Sequence, residues 1–348
     1  MKYHGVVYDV GLRFTAGQPL SVDTFDPELV KSDIRAIKDE LFASAIRIEG
    51  EEIDRLVVAA REASAVGLTV FFNPWKMNVE IAELPGYFAV AARAAEELRL
   101  EGVEIVFVAG CEMTLFNEGI FRGATITERI EGIIALSEAV KAGDVATTEA
   151  IARSLNEALK AITVAVRSEF KGQVTYSAGM WEQVDWDLFD IVGIDHYRST
   201  ETAKEYVSTL DRYKIGKPVV VMEVGCCAYE GAAKYGAGGF MLLEGTNPDG
   251  TGRFKDGVVP KRSEREQADY VDEQLALLKG SKVSGVFVYV FSFPTYPYGE
   301  GLRDLDMMSF SLVKTYPENH ADGGSQRPWK PKEAFYRIAA IYKDLSGK

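Results

Sequence analysis

The chain has 348 residues, a formal charge of −13 and 47% hydrophobic residues. That is enough apolar material for one large core, and the acidity excludes a surface built for phosphate backbones, so no nucleic-acid partner is expected. No run reaches membrane-spanning length, and Met1 to Asp9 lacks an apolar leader core, so a cytoplasmic protein with no membrane partner is expected.

Val6 to Tyr8 reads as a short strand ending at Asp9. Asp26-Pro27 has the form of a helix cap followed by proline in the first turn, and apolar residues then recur at helical spacing to Leu41. Ala45 to Ile48 is a second strand, with Arg47 embedded in it. A helix over Ile53 to Val66 leads to a third strand, Leu68 to Trp75, which ends in Asn73, Pro74 and Trp75. A helix over Tyr87 to Leu98 precedes Val103 to Glu112, an apolar run that stops at a carboxylate.

A glycine-containing loop follows, Phe116 to Thr125. Thr125 and Glu128 have capping-box spacing ahead of two helical stretches, Ile126 to Ala142 and Ala146 to Phe170. Val174 to Ala178 and Ile191 to Tyr197 are the fifth and sixth strands. Thr202 to Tyr213 is helical. Val219 to Met222 is another apolar run, and it too stops at a carboxylate, Glu223. Cys226 to Pro260 is a long glycine-rich loop, a candidate lid. Arg265 to Leu278 is helical, Val286 to Phe291 is the eighth strand, and Lys332 to Leu345 is a last helix.

Eight strands alternating with helices indicate a (β/α)8 TIM barrel of class α/β, one domain over residues 1–348, with extended loops after strands 4, 7 and 8. A doubly wound sheet is the alternative, but no G-x-G-x-x-G follows the first strand. The three cysteines, Cys111, Cys226 and Cys227, suit reduced thiols better than a disulfide framework. The histidines His4, His196 and His320 form no metal-ligand spacing, so neither a metal nor another cofactor is expected. The pattern carries no signal for an oligomeric state.

A buried strand can end in a carboxylate cheaply only where it meets solvent, and in such a barrel that end carries the chemistry. The strand ends collect Asp9, Arg47, Asn73, Trp75, Glu112, Trp181, Asp195, His196, Tyr197 and Glu223. Asp195 could face either way along its strand. Two separated glutamates suit glycosidic cleavage, which needs a proton donor for the leaving oxygen and a carboxylate at the cation-like centre. Trp75 and Trp181 could stack on sugar rings; Trp186 and Trp329 suit packing. As structural alternatives, Glu112 and Glu223 could serve as ion-pair partners for Arg47, and Cys111 as a small buried side chain.

The pattern resembles clan A glycoside hydrolases, (β/α)8 barrels with an acid/base glutamate after strand four and a nucleophilic glutamate after strand seven. The resemblance implies Glu112 as acid/base and Glu223 as nucleophile of a retaining glycosidase acting on an oligosaccharide or glycoside. It implies Arg47 and Tyr197 as partners that keep Glu223 ionised. Trp329 to Tyr336 is similar to the clan's entry into helix eight. Two positions depart from the clan: Cys111 stands where it has asparagine, and Phe291, Ser292 and Phe293 stand where it often has tryptophan. The wording around Gly110 to Phe116 and Gly225 to Gly231 also looks like bacterial proteins labelled abortive-infection proteins. The departures suggest an alternative: a non-catalytic carbohydrate-binding or phage-defence protein on a degenerate barrel.

Overall fold

The structure is a computed structural model and describes residues 1–317 and 327–347; His320 lies outside them. Eight parallel strands form a closed barrel. They are β1 (Tyr3–Asp9), β2 (Ala45–Gly50), β3 (Thr69–Pro74), β4 (Ile105–Cys111), β5 (Gln173–Gly179), β6 (Val192–Asp195), β7 (Val219–Val224) and β8 (Gly285–Val288). Each strand pairs with the next in sequence, and β8 returns to β1.

Alternation along the strands divides the core in two. Tyr3, Val7, Ala45, Phe71, Val106, Val220, Met222 and Phe287 fill the barrel. The opposite faces, with Val6, Ile46, Val70, Phe107 and Val221, pack against the helices. The α1 helix (Pro27–Asp39) starts as expected, with the Asp26 side chain accepting from the Glu28 amide. The Thr125–Glu128 capping box is present at the start of Ile126–Ala142. Among the described residues no helix is long and apolar enough to cross a membrane.

Three stretches differ from the sequence expectation. The 202–213 helix is an α-helix only over Ala203–Ser208 and continues as 3₁₀ over Thr209–Tyr213. The segment after β7 is structured: a 3₁₀ stretch, Ala232–Leu242, is followed by a hairpin of Leu243–Thr246 with Gly252–Phe254. The eighth strand ends at Val288 rather than Phe291. Beyond it the chain turns toward a returning loop, where the Val290 amide donates to the Phe310 carbonyl. Phe291 packs outward on Trp329 and Tyr8. Tyr289, just past the strand end, lies near enough to Glu49, Glu223 and Asp9 to feel their charges.

Candidate active site

At the C-terminal ends of the strands the inward positions turn polar: Asp9, Glu49, Asn73, Cys111, Ser177, Asp195, Glu223 and Tyr289. Register sets Asp9 beside Glu49 and Glu49 beside Asn73. It sets Cys111 beside Ser177 and Asp195 beside Glu223. Irregular pairing at the ends of β4 and β7 turns Cys111 and Glu223 toward the mouth.

One layer below, Arg47 is wholly buried. Its Nε donates to Asn73 Oδ1 at 2.8 Å. Its Nη1 donates to Glu223 Oε1 at 2.8 Å and to the Met222 carbonyl at 3.1 Å. The Tyr197 hydroxyl donates to the other oxygen of Glu223 at 2.9 Å. Each oxygen of Glu223 thus has a directed donor, which fixes the carboxylate plane.

Glu112 has the opposite surroundings. It is half-buried and left-handed, with φ 40° and ψ 49°. Its carboxylate has no hydrogen-bond partner among the described residues, while its amide donates to the Ser177 carbonyl at 2.9 Å. Burial, then the charges of Asp195, Glu223 and Glu182, push its acid strength down and its pKa well above the carboxylate range; Arg47 opposes them.

The turn that carries Glu112 is clamped from β5. Tyr176 accepts from the Met113 amide at 2.8 Å and donates to Glu182 at 2.9 Å. Glu182 also accepts from the Thr114 amide and hydroxyl and from the Gly179 amide. Burial pushes the Glu182 carboxyl up to about 7. Trp181 donates its indole NH to the Thr114 hydroxyl at 2.9 Å, which places it against the same turn.

Cys111 is fully buried, with its sulfur 3.6 Å from Asp195 Oδ2 and 3.7 Å from Glu223 Oε1. Asp195 faces inward and accepts from Ser177 at 2.6 Å. Burial pushes both the thiol and the Asp195 carboxyl well up. Cys111, Asp195 and Glu223 bring three donor atoms within 4.8 Å of one another, the one such group among the described residues. Arg47 already engages the Glu223 oxygen that such a cation would share.

Three expected site residues are less open than expected: His196 turns away, and Trp75 and Asp9 are buried at the site's edge. His196 points outward, as alternation next to Asp195 requires, and stacks on Tyr206 at 4.0 Å. Its Nε2 lies 3.1 Å from the Tyr206 carbonyl. Burial lowers its pKa to about 4. Trp75 is only 3% exposed, wedged among Leu12, Met77, Cys111 and Phe116, so its ring offers almost no face to a sugar. Asp9 is buried, accepts from the Gly11 amide at 2.7 Å, and is pushed up to about 6 by burial.

Glu49, Ser177, Glu182 and Tyr289 were not among the residues the sequence singled out. Glu49 could have been found by parity, since it lies two residues past Arg47. Glu182 lies in a loop, and no local pattern marks it.

Comparison with solved structures places this frame. The fold is that of glycoside hydrolase barrels. A GH113 β-1,4-mannanase, solved as a complex, superposes with a TM-score of 0.60 at 17% identity, over 99% of both chains. The GH113 β-mannanase AaManA from Alicyclobacillus acidocaldarius, in complex with ManMIm, gives 0.56 at 15% identity, over 98% of this chain and 97% of that one. PbGH5A, a glycoside hydrolase family 5 enzyme from Prevotella bryantii B14, gives 0.53 at 11% identity, over 97% and 95%. No family model and no curated protein matches the sequence, so the local likeness to abortive-infection proteins finds no support.

Proposed function

We propose that the chain is a retaining glycoside hydrolase acting on an oligosaccharide, with Glu223 as nucleophile and Glu112 as acid/base. One contrast carries the reading. Glu223 is gripped by two donors, while Glu112, from the end of β4, is unpaired and pushed toward its protonated form. A nucleophile needs a fixed, charged carboxylate, and a leaving group needs an acid that still holds its proton.

In the first step Glu223 attacks the anomeric carbon as Glu112 gives its proton to the departing oxygen. The product is a glycosyl ester of Glu223 and a free alcohol. In the second step Glu112, now a carboxylate, takes a proton from water, and that water displaces Glu223. No step calls on a metal or an organic cofactor. The shared fold with GH113 β-1,4-mannanases makes β-1,4-linked manno-oligosaccharides the first substrates to assay.

The test is turnover of aryl glycosides and manno-oligosaccharides by wild type and Glu223→Gln, with the product anomer followed by NMR. Retention and a loss of about 10³-fold or more in the variant are expected, in the range for removal of a reacting group. Wild-type-like turnover by Glu223→Gln would remove it as nucleophile. Sugar binding without turnover by the wild type would favour the non-catalytic alternative, which rests on Cys111 and on Phe291 to Phe293 past the end of the eighth strand.

A further inference from the structure

Glu49 has no task in the chemistry above. It lies near the end of β2, two residues past Arg47, on the same inward face, and has no exposed surface. Neither of its carboxylate oxygens has a hydrogen-bond donor. Its nearest cation is Arg47, whose Nη2 lies 3.4 Å from Glu49 Oε2 and has no hydrogen-bond acceptor of its own. Four other groups border it. Asp9 on β1 and Asn73 on β3 are its register partners. Glu223 from β7 raises its pKa, and Tyr289 beyond β8 lowers it without reaching hydrogen-bond geometry.

Charge arithmetic then constrains Glu49. A buried carboxylate without donors is costly as an anion. Asp9 and Glu223 add like charges, and burial together with them pushes the Glu49 pKa up, against the pull of Arg47. One guanidinium carries one positive charge and cannot neutralise two anions. Arg47 is 2.8 Å from Glu223 and 3.4 Å from Glu49, so its commitment is to Glu223. A neutral Glu49 leaves that charge where the reaction uses it. An ionised Glu49 would draw Nη2 toward itself and turn the fork away from Glu223.

We propose that Glu49 is a positioning residue for Glu223, acting through Arg47 as a neutral carboxylic acid. The kinetic part of this proposal rests on Glu223 being the nucleophile; the protonation part does not.

Two measurements on the full chain test it. The first is infrared difference spectroscopy of wild type against Glu49→Gln at neutral pH. A carboxylic-acid C=O band present in the wild type and lost in the variant is expected. A carboxylate band lost instead overturns the proposal, whether or not the protein turns over any glycoside.

The second is the pH dependence of kcat/KM. The alkaline limb of the wild type should lose activity through two groups, Glu112 and Glu49, and so fall about a hundredfold per pH unit at its steepest. In Glu49→Gln it should fall about tenfold per pH unit, through Glu112 alone. Glu49→Asp, which keeps an ionisable group, should restore the steeper limb. A residue that served only packing would lower activity evenly at every pH. Equal slopes in wild type and Glu49→Gln, with matching melting temperatures, overturn the coupling through Arg47. Absence of turnover by the wild type defeats the functional reading and leaves the infrared band to decide Glu49.

Discussion

The Tyr197 hydroxyl donates to Glu223 Oε2 across 2.9 Å, from just beyond β6, the strand next to the one that carries the glutamate. Burial and the Glu223 charge push its phenol well above the ordinary range, so it remains a donor at any working pH. Tyr197→Phe removes that donor and nothing else of similar size. A hydrogen bond to a charged group contributes about 1.5–3 kcal/mol, so kcat/KM should fall about 10- to 100-fold with the fold unchanged. Steady-state kinetics on an aryl glycoside, with a thermal melt as control, checks this. An unchanged kcat/KM would show that Tyr197 does not support Glu223.

The three thiols make a separate check on the packing. Cys111, Cys226 and Cys227 are each free and buried. Burial, first among the causes, raises the pKa of all three. A thiol that is both inaccessible and protonated reacts slowly with disulfide reagents. No fast-reacting thiol is expected in the native protein, and three are expected in denaturant. A rapid reaction of Cys111 in the native state would mean an open, reactive thiol at the mouth, and the reading of Cys111 as a packed side chain would fall.

Much of this was legible in the sequence because the barrel writes itself as a repeat. Apolar runs ending in Glu112 and Glu223 mark strands buried on both faces, and helical spacing marks the crossovers. Arg47 and Tyr197 were marked as partners of Glu223 only by the resemblance to clan A glycoside hydrolases. What the sequence did not show is set by parity and by loops. His196 and Asp195 are neighbours, and only the pairing with Glu223 decides which of them turns inward. Trp75 looks like a stacking platform until Leu12 and Phe116 are seen to cover it. Glu182 reaches the site through contacts with Thr114, which is 68 residues away in the chain. Tyr289 was missed because the apolar run continues past the true strand end.

The loop after β7 offers a prediction about chain length. Phe240 is 38% exposed and Met241 46%. The Phe240 ring lies 6.4 Å from Phe310, and Phe310 lies 5.8 Å from Tyr197. Packed rings thus run from the donor on Glu223 out to Phe240 at the surface. Phe240→Ala should raise KM for longer oligosaccharides about 3- to 10-fold, taking about 0.5–1.5 kcal/mol for an aromatic contact. KM for a simple aryl glycoside should not move. An equal effect on short and long substrates would mean that Phe240 acts on the fold and not on the extended chain.

Asp33 couples stability to pH away from the site. It accepts from Tyr8 at 3.0 Å and from the Trp329 indole at 2.7 Å, and burial raises it from 3.8 to about 7. For an acid raised by folding, the folded state holds the proton more tightly than the unfolded chain. Its stabilising contribution is therefore complete below the unfolded value, near 3.8, and is lost as pH rises through about 7. The loss amounts to at most about 4 kcal/mol. Asp33→Asn cannot titrate, so the unfolding free energy of wild type minus that of the variant should decrease between about pH 4.5 and about pH 8. Any constant cost of the substitution cancels in that comparison. So does the opposite trend from His4, lowered to about 4, because both proteins carry it. Urea unfolding at the two pH values measures the difference. A difference that stays constant would mean that Asp33 titrates alike in the folded and unfolded chains, and that its burial between Tyr8 and Trp329 leaves its proton affinity unmoved.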